Sequence, residues 1–258
     1  MKKDILFKGI DVSYANGKID WHKMKDNIDF VIIRCGYGGD FANQDDAQWH
    51  ENVKKCEELN IPYGVYLYSY ATNTDKAKNE AKHALRLLKG HNPEYPVFLD
   101  LEESRISALG NDKILELAQI FCEKITQAGH RYGTYSNKYW YSTYLTDSWY
   151  DEHPKWLAQY NKECTYKGDY DIWQYSSKGR FDGFNCNFDL NYCYTSFIKG
   201  DADGDGEITT EDARTVLRFA AGLENIDEKK KDIADVNCDG KITAADARQI
   251  LRESAGLE

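Results

Sequence analysis

The sequence predicts an α/β chain in two parts: an eight-stranded barrel with about five helices, then a small all-α module of two loop-helix repeats. Three observations predict it. Strand-like and helix-like segments alternate from the N-terminus to about residue 197, as in a barrel wound from β-α units. The last three strand candidates crowd together, so the barrel has lost its final helices. Segments 201–224 and 235–258 then align without gaps, matching at Asp, Asp, Gly, Ile, Thr, Asp, Ala, Arg, Leu, Arg, Ala, Gly, Leu and Glu, and such a duplication marks a structural unit. The predicted domains are residues 1–198 and 199–258.

In chain order, strands are expected at Phe7–Tyr14, Phe30–Gly36, Tyr63–Ala71, Val97–Glu102, Arg131–Ser136, Trp156–Tyr160, Asp171–Ser176 and Phe188–Tyr192. A helix is expected from about Asp45 to Leu59. A second, Asp75 to Lys89, aligns Ala77, Ala81, Ala84, Leu85 and Leu88 on one face, with Thr74 as its N-cap. A third, Asp112 to Ala128, has Asn111 as N-cap and Gly129 just past its end. In the repeats, helices follow each loop, from Thr210 to about Ala220 and from Ala244 to about Glu253. The result is a TIM-like barrel, whose chemistry sits at the C-terminal ends of its strands.

Composition excludes several classes. A net charge of −10 argues against nucleic acid, whose phosphates require clustered Lys and Arg. Nineteen Tyr, ten Phe and six Trp supply the apolar surface that disordered chains lack. Apolar runs such as Phe30–Ile33 are too short for a membrane span. The seven cysteines form no CxxC pair, so they read as buried or semi-buried thiols; spacing alone gives no support to a Cys186–Cys193 disulfide. No two histidines stand at HxxxH spacing, which disfavours zinc. The start, Met1 to Phe7, has two lysines but no apolar leader run. The charge is uneven: residues 1–198 hold 24 Lys+Arg against 28 Asp+Glu, and residues 199–258 hold 9 against 15. The smaller part therefore carries −6 of the total.

Those negative charges follow a cation-loop pattern. The first copy is Asp201-x-Asp203-x-Asp205-Gly206-x-Ile208-Thr209-x-x-Asp212, and the second is Asp235-x-Asn237-x-Asp239-Gly240-x-Ile242-Thr243-x-x-Asp246. Positions 1, 3, 5, 7, 9 and 12 supply the oxygens that calcium requires. Position 7 contributes its carbonyl, so Glu207 and Lys241 can differ in charge. Position 12 is Asp rather than Glu, and no clear entering helix precedes the first loop. This duplicated loop-helix resembles a type I dockerin, a module with two F-hand repeats that docks enzymes onto cohesin domains of a scaffoldin. The resemblance implies two structural Ca2+ ions, a cohesin partner and an extracellular or cell-surface, scaffold-associated location, with a signal peptide already removed. It assigns partner choice to Thr210, Glu211, Leu217 and Arg218 in the first copy, and to Ala244, Ala245, Leu251 and Arg252 in the second. The common Ser/Thr pair at loop positions 10 and 11 is absent from both copies, while the shared Leu-Arg allows either copy to face the partner.

In the barrel, the sharpest local feature is Pro96-Val97-Phe98-Leu99-Asp100-Leu101-Glu102-Glu103. Side chains alternate along a strand, so Asp100 and Glu102 share a face. Two carboxylates at a strand end are costly unless used, and their repulsion raises one pKa, as a general acid requires. A surface acidic cluster is the alternative reading of this stretch alone. Asp11 ends the first strand and Asp189 lies on the last, and closure of the barrel would bring them together.

With Gly9-Ile10-Asp11-Val12-Ser13, Ile33-Arg34-Cys35-Gly36-Tyr37-Gly38, Gly64-Val65-Tyr66, Phe98-Leu99-Asp100-Leu101-Glu102, Trp156-Leu157-Ala158-Gln159-Tyr160, Ile172-Trp173-Gln174-Tyr175 and Phe188-Asp189-Leu190-Asn191, residues 5–195 resemble glycoside hydrolase family 25, the N-acetylmuramidase lysozymes. The resemblance implies hydrolysis of the β-1,4 bond between N-acetylmuramic acid and N-acetylglucosamine in peptidoglycan, with no cofactor in catalysis. It makes Glu102 the general acid/base and Asp100, Asp11 and Asp189 the rest of an acidic floor. The adjacent Asp100-x-Glu102 arrangement resembles that of enzymes that use the substrate's own acetamido group, and so implies retention by that route rather than through a direct carboxylate nucleophile. Tyr66 matches a tyrosine at the catalytic end; Tyr135, Trp140, Gln159, Trp173 and Gln174 are further candidates for lining a sugar cleft. Leu67 stands where many members have His, and is expected to face outward. Two alternatives stay open: an inert peptidoglycan-binding module, and a hydrolase of chitin-like N-acetylglucosamine polymers.

Overall fold

The structure is a computed structural model that describes residues 3–226 and 230–257. Glu258, which ends the second repeat, and Met1 and Lys2 of the N-terminal stretch lie outside the described residues. The chain divides between Cys193 and Tyr194 into two units.

The first unit runs β1 (Phe7–Val12), α1 (Trp21–Met24), β2 (Phe30–Tyr37), α2 (Trp49–Leu59), β3 (Tyr63–Tyr68), α3 (Thr74–Leu87), β4 (Val97–Asp100), α4 (Ser104–Ser107), α5 (Asn111–Gln127), β5 (Tyr132–Asn137), α6 (Lys138–Thr143), β6 (Lys155–Ala158), β7 (Ile172–Gly179) and β8 (Phe188–Cys193). The strands close into a barrel in sequence order. From β1 to β7 each pairing is parallel, whereas β8 runs antiparallel to both β7 and β1. The lost helix explains the reversal: a parallel neighbour needs a crossover of about a dozen residues or more, and the link from β7 to β8 is shorter. Asp189, near the start of β8, therefore lies at the same barrel end as the finishes of the other strands and is the register partner of Asp11.

Three helices, α2, α3 and α5, form the long outer layer, and α1, α4 and α6 are shorter. Two expected caps differ. Asn73, not Thr74, caps α3, its side chain accepting from the Lys76 backbone N–H. Asn111 is the first residue of α5 behind Gly110 (φ 81), and its amide donates instead to Thr143 O. Helix α2 starts at Trp49 rather than near Asp45, because Asp45 bridges to Gly36 and Asp46 accepts from the Gln48 N–H. Strand β4 stops at Asp100, so Glu102 stands on the loop beyond it.

Alternation sorts the strands into two layers. Ile10, Val12, Val31, Ile33, Val65, Leu67, Val97 and Leu99 pack outward into the main core with α2, α3 and α5. Leu67 accordingly lies in the outer layer, as expected. Inside the barrel, large rings form a plug: Trp156 meets Tyr66 at 5.7 Å, Phe98 at 5.4 Å and Tyr135 at 4.3 Å. Room for it comes from missing side chains, since a Cβ at Gly133 would fall 2.5 Å from the Phe98 ring. All seven cysteines are free thiols, with Cys186 half-buried and Cys193 buried.

The second unit contains α7 (Thr210–Ala220), α8 (Lys231–Ala234) and α9 (Ala244–Ser254). Its core is small and alanine-rich: Ala202, Ala213, Val216, Ile226, Ala234, Ala247 and Ile250. Both long helices begin with a capping box, Thr209 with Asp212 and Thr243 with Asp246. No helix among the described residues is long and apolar enough to cross a membrane.

Candidate active site

Four carboxylates gather at the end of the barrel above the aromatic plug. Asp11 is 5% exposed, and its Oδ2 accepts two amide bonds, from Gln174 Nε2 and Asn191 Nδ2, both at 2.8 Å. Burial, then the charge of Asp189, drives its carboxyl well above the usual carboxylate range. Burial raises Asp189 as well, so the facing pair holds protons at pH values where isolated aspartates are ionised. Asp100 is 3% exposed and rises strongly, first from burial and then from the charges of Glu102 and Asp11. Its Oδ1 has no hydrogen-bond partner. A buried carboxyl oxygen left unpaired is costly, and a ligand that donates to it removes that cost. Glu102 reaches the open mouth, yet desolvation of its carboxyl and the charge of Asp189 raise it too.

Gln174 links this floor to two phenols. Its Oε1 accepts from Tyr135 OH at 2.9 Å and Tyr160 OH at 3.0 Å, while its amide donates to Asp11. Asn191 does the same for the plug, accepting from Trp156 Nε1 at 2.8 Å while donating to Asp11. Sequence reasoning named Gln174 but missed Asn191 and Tyr160. Asn191 lies two residues from Asp189 on one strand face, so strand alternation carried its signal. Tyr160 stands in a motif segment whose neighbour Gln159 was chosen instead. Tyr66 faces the interior beside the acids, and burial first, then the charges of Asp11 and Asp100, raise its phenol.

Three predicted lining residues sit elsewhere. Trp140 belongs to the core on α6, 5% exposed, with its ring on Tyr144. Trp173 alternates away from Gln174, lies tilted against the rings of Tyr175 and Tyr192, and donates from Nε1 to Gln159 O. The side chain of Gln159 holds Thr165, accepting from its N–H and donating to its hydroxyl. Aromatic identity did not tell inner face from outer.

An open cleft of about 520 Å³ is lined by Tyr14, Arg34, Tyr37, Asn43, Asp45, Ala47, Tyr68 and Tyr70. Tyr68 also feels the charges of Asp100 and Glu102, which ties the cleft to the acids. Arg34 is the cation turned into it, held by Asp46 at 2.8 Å with its guanidinium 4.7 Å from the Tyr14 ring centre.

In the second unit, carboxylate oxygens of Asp201, Asp203 and Asp205 lie within 4.8 Å of one another. Asp201 is fully buried and also accepts from the N–H groups of Gly204, Asp205 and Gly206. The second loop repeats this: Asp235 accepts from Asp239 and Gly240, and Asn237 from Asp239. Glu207 and Lys241 take equivalent places, each donating its N–H to the Asp at position 5. These oxygen-only loops fit a hard divalent cation. Thr209 and Thr243 use their hydroxyls to cap helices, and Asp212 and Asp246 are fully buried within the same caps. Thr210, Glu211, Leu217, Arg218, Ala244, Ala245, Leu251 and Arg252 are all exposed, with Leu217 and Leu251 at 48% and 47%.

Desolvated acids at one rim of a barrel suit acid-base hydrolysis of a glycosidic bond, and the family comparison supplies the class. The chain belongs to glycosyl hydrolases family 25, whose model matches residues 10–184. A dockerin type I domain model matches residues 199–253, a domain type that binds calcium. Among solved structures, the modular autolysin LytC from Streptococcus pneumoniae, in complex with a synthetic peptidoglycan ligand, is 30% identical with a TM-score of 0.65. That match covers 73% of this chain and 46% of the autolysin, so the chain spans less than half of that protein's length. The catalytic domain of endolysin ply40 from bacteriophage P40 of Listeria monocytogenes is 25% identical with a TM-score of 0.63, covering 74% of this chain and 95% of that one. A family 25 glycosyl hydrolase from Bacillus anthracis shares the fold at 20% identity and a TM-score of 0.62, covering 74% and 89%. No curated protein matches by sequence.

Proposed function

We propose that the barrel hydrolyses the β-1,4 bond between N-acetylmuramic acid and N-acetylglucosamine in peptidoglycan, with Glu102 as general acid and then general base. The single observation that carries this reading is the carboxylate set itself, in which Glu102 is raised at the open mouth while Asp100 keeps a buried, unpartnered Oδ1. A raised Glu102 holds the proton that the leaving glycosidic oxygen must receive. In the retaining route, the acetamido carbonyl oxygen of the substrate attacks the anomeric carbon as that bond breaks, while Asp100 accepts the acetamide N–H. Water then opens the cyclic intermediate, and Glu102 takes the proton from the water. Asp11 and Asp189, both raised by burial, offer carboxyl oxygens that share protons beside the oxocarbenium-like transition state rather than two full negative charges. Tyr66, Tyr135 and Tyr160 line this end, and Tyr14, Tyr37, Tyr68 and Tyr70 offer faces on which sugars stack.

The second unit, in this reading, binds two Ca2+ ions and docks to a cohesin through the exposed Leu-Arg pairs of α7 and α9, outside the cell. Mass spectrometry of digested peptidoglycan tests the enzyme: fragments ending in reducing N-acetylmuramic acid are expected. Products ending only in N-acetylglucosamine, or cleavage of chitin oligomers alone, reject the bond assignment. An inverted anomer by NMR rejects substrate assistance.

A further inference from the structure

Helix α3 packs behind the cleft and commits three polar side chains to the loops that wall it. Arg86 bonds to Asp40 and Asp45. His83, fully buried, sets its ring nitrogens 3.0 Å from Gly38 O and 2.8 Å from Asp45 Oδ1. Glu80 holds the turn after β3. It is 2% exposed, with Oε2 accepting from Ser69 OH and Oε1 from the Tyr70 N–H, both at 2.7 Å. Ser69 Oγ then accepts from the Ala71 N–H at 3.3 Å. With Ser69 turned inward to Glu80, its neighbours Tyr68 and Tyr70 face the cleft, their ring centres 5.1 Å apart. The hydrolytic mechanism makes no use of Glu80, and a buried carboxylate is expensive to keep without a purpose.

We propose that Glu80 is a positioning residue of the glycan cleft: by holding Ser69 and Tyr70 it fixes the Tyr68 and Tyr70 rings against which a sugar chain lies. The inference rests on reading the cleft as the glycan site. Burial pushes Glu80 up to about 7, against the pull of Ser69, the N–H groups of Tyr70 and Ala71, and the charge of Lys76. The folded value lies above the ordinary 4.5, so its contribution to stability is full at low pH and lost as pH rises through that window. The hydrogen bonds run the other way, being strongest to the ionised carboxylate. Above neutrality the turn is therefore held most firmly while the buried charge costs the fold most. A glutamine can still accept from Tyr70 and donate to Ser69, and removes only the charge.

The experiment compares Glu102→Gln with Glu102→Gln/Glu80→Gln, measuring peptidoglycan-fragment affinity by calorimetry and thermal unfolding at about pH 5.5 and about pH 8, either side of the Glu80 transition. At the higher pH the double variant is expected to bind about fivefold more weakly, the size of lost charge assistance, yet to unfold at a higher temperature. At the lower pH both differences vanish. Equal affinities at the higher pH overturn the proposal, as does a loss of affinity that tracks a loss of stability at both. Hydrogen exchange at the Tyr70 amide needs no ligand: faster exchange in Glu80→Gln at the higher pH is expected, and unchanged protection overturns the hold on the turn. If Glu102→Gln binds no glycan at all, the cleft reading fails, and exchange still decides the role of Glu80 in the turn.

Discussion

Asp11 shows how single residues are set to work here. Its Oδ2 accepts from two neutral amides, while Asp189 faces it across the β1–β8 seam. The amides favour its charge, but burial and Asp189 outweigh them, so its proton is held more tightly than usual. Asp100 and Asp189 are raised by burial as well. Carboxyls whose folded values lie above the unfolded ones bind more protons in the folded state. Their contribution is complete below about pH 4 and is lost as pH rises through about 6 for Asp189 and about 8 for Asp11. The melting temperature of the barrel is thus expected to fall across that window, and Asp189→Asn to flatten the slope; an equally steep slope in the variant would contradict the assignment. At the reacting bond, Glu102→Gln is expected to lower turnover by roughly 10²- to 10⁴-fold while leaving glycan binding intact, as read by kinetics and calorimetry.

At the scale of elements, the barrel interior is a fit between missing and large side chains. Gly133 on β5 faces Phe98 on β4, and an added Cβ would lie 2.5 Å from that ring and 3.0 Å from Pro154 O. Phe98 in turn supports Trp156, which touches Tyr66 and Tyr135 beneath the acids. Gly133→Ala is expected to cost about 1–3 kcal/mol in stability, measured by denaturant unfolding, and to lower activity through displaced rings. A shift below about 0.5 kcal/mol would mean that the plug can relax. The antiparallel β8 is equally consequential, since a parallel β8 would carry Asp189 to the opposite rim from Asp11.

For the whole molecule, charge and core size divide the labour. Residues 199–258 hold 15 Asp+Glu against 9 Lys+Arg, and their core is mostly alanine. In the proposed reading, bound cations offset the repulsion within two acidic loops that so small an apolar core leaves uncompensated. Chelation is expected to abolish the helical circular dichroism of this unit and its binding to a cohesin, while the barrel keeps its hydrolytic rate. Unchanged helicity after chelation would show that the loops fold without metal. Adding calcium back should restore both signals.

Local patterning carried much of this in the sequence alone. Periodicity marked all eight strands and the five longest helices, α2, α3, α5, α7 and α9, but not the short α1, α4, α6 and α8, and gapless repetition marked the second unit. The crowding of the last strands implied the missing helices. Strand alternation put Asp100 on a functional face, and closure predicted the meeting of Asp11 with Asp189. These are properties of neighbours along the chain, which sequence records directly. The tertiary structure alone decided the rest. It sent Trp173 outward and Trp140 into the core, brought Tyr160, Gln174 and Asn191 onto the acids, and packed α3 behind the cleft so that Glu80 meets Ser69 and Tyr70. Which face of a strand looks inward, and which distant amide finds a buried carboxylate, depends on register and closure between segments, and a one-residue change in register reverses both.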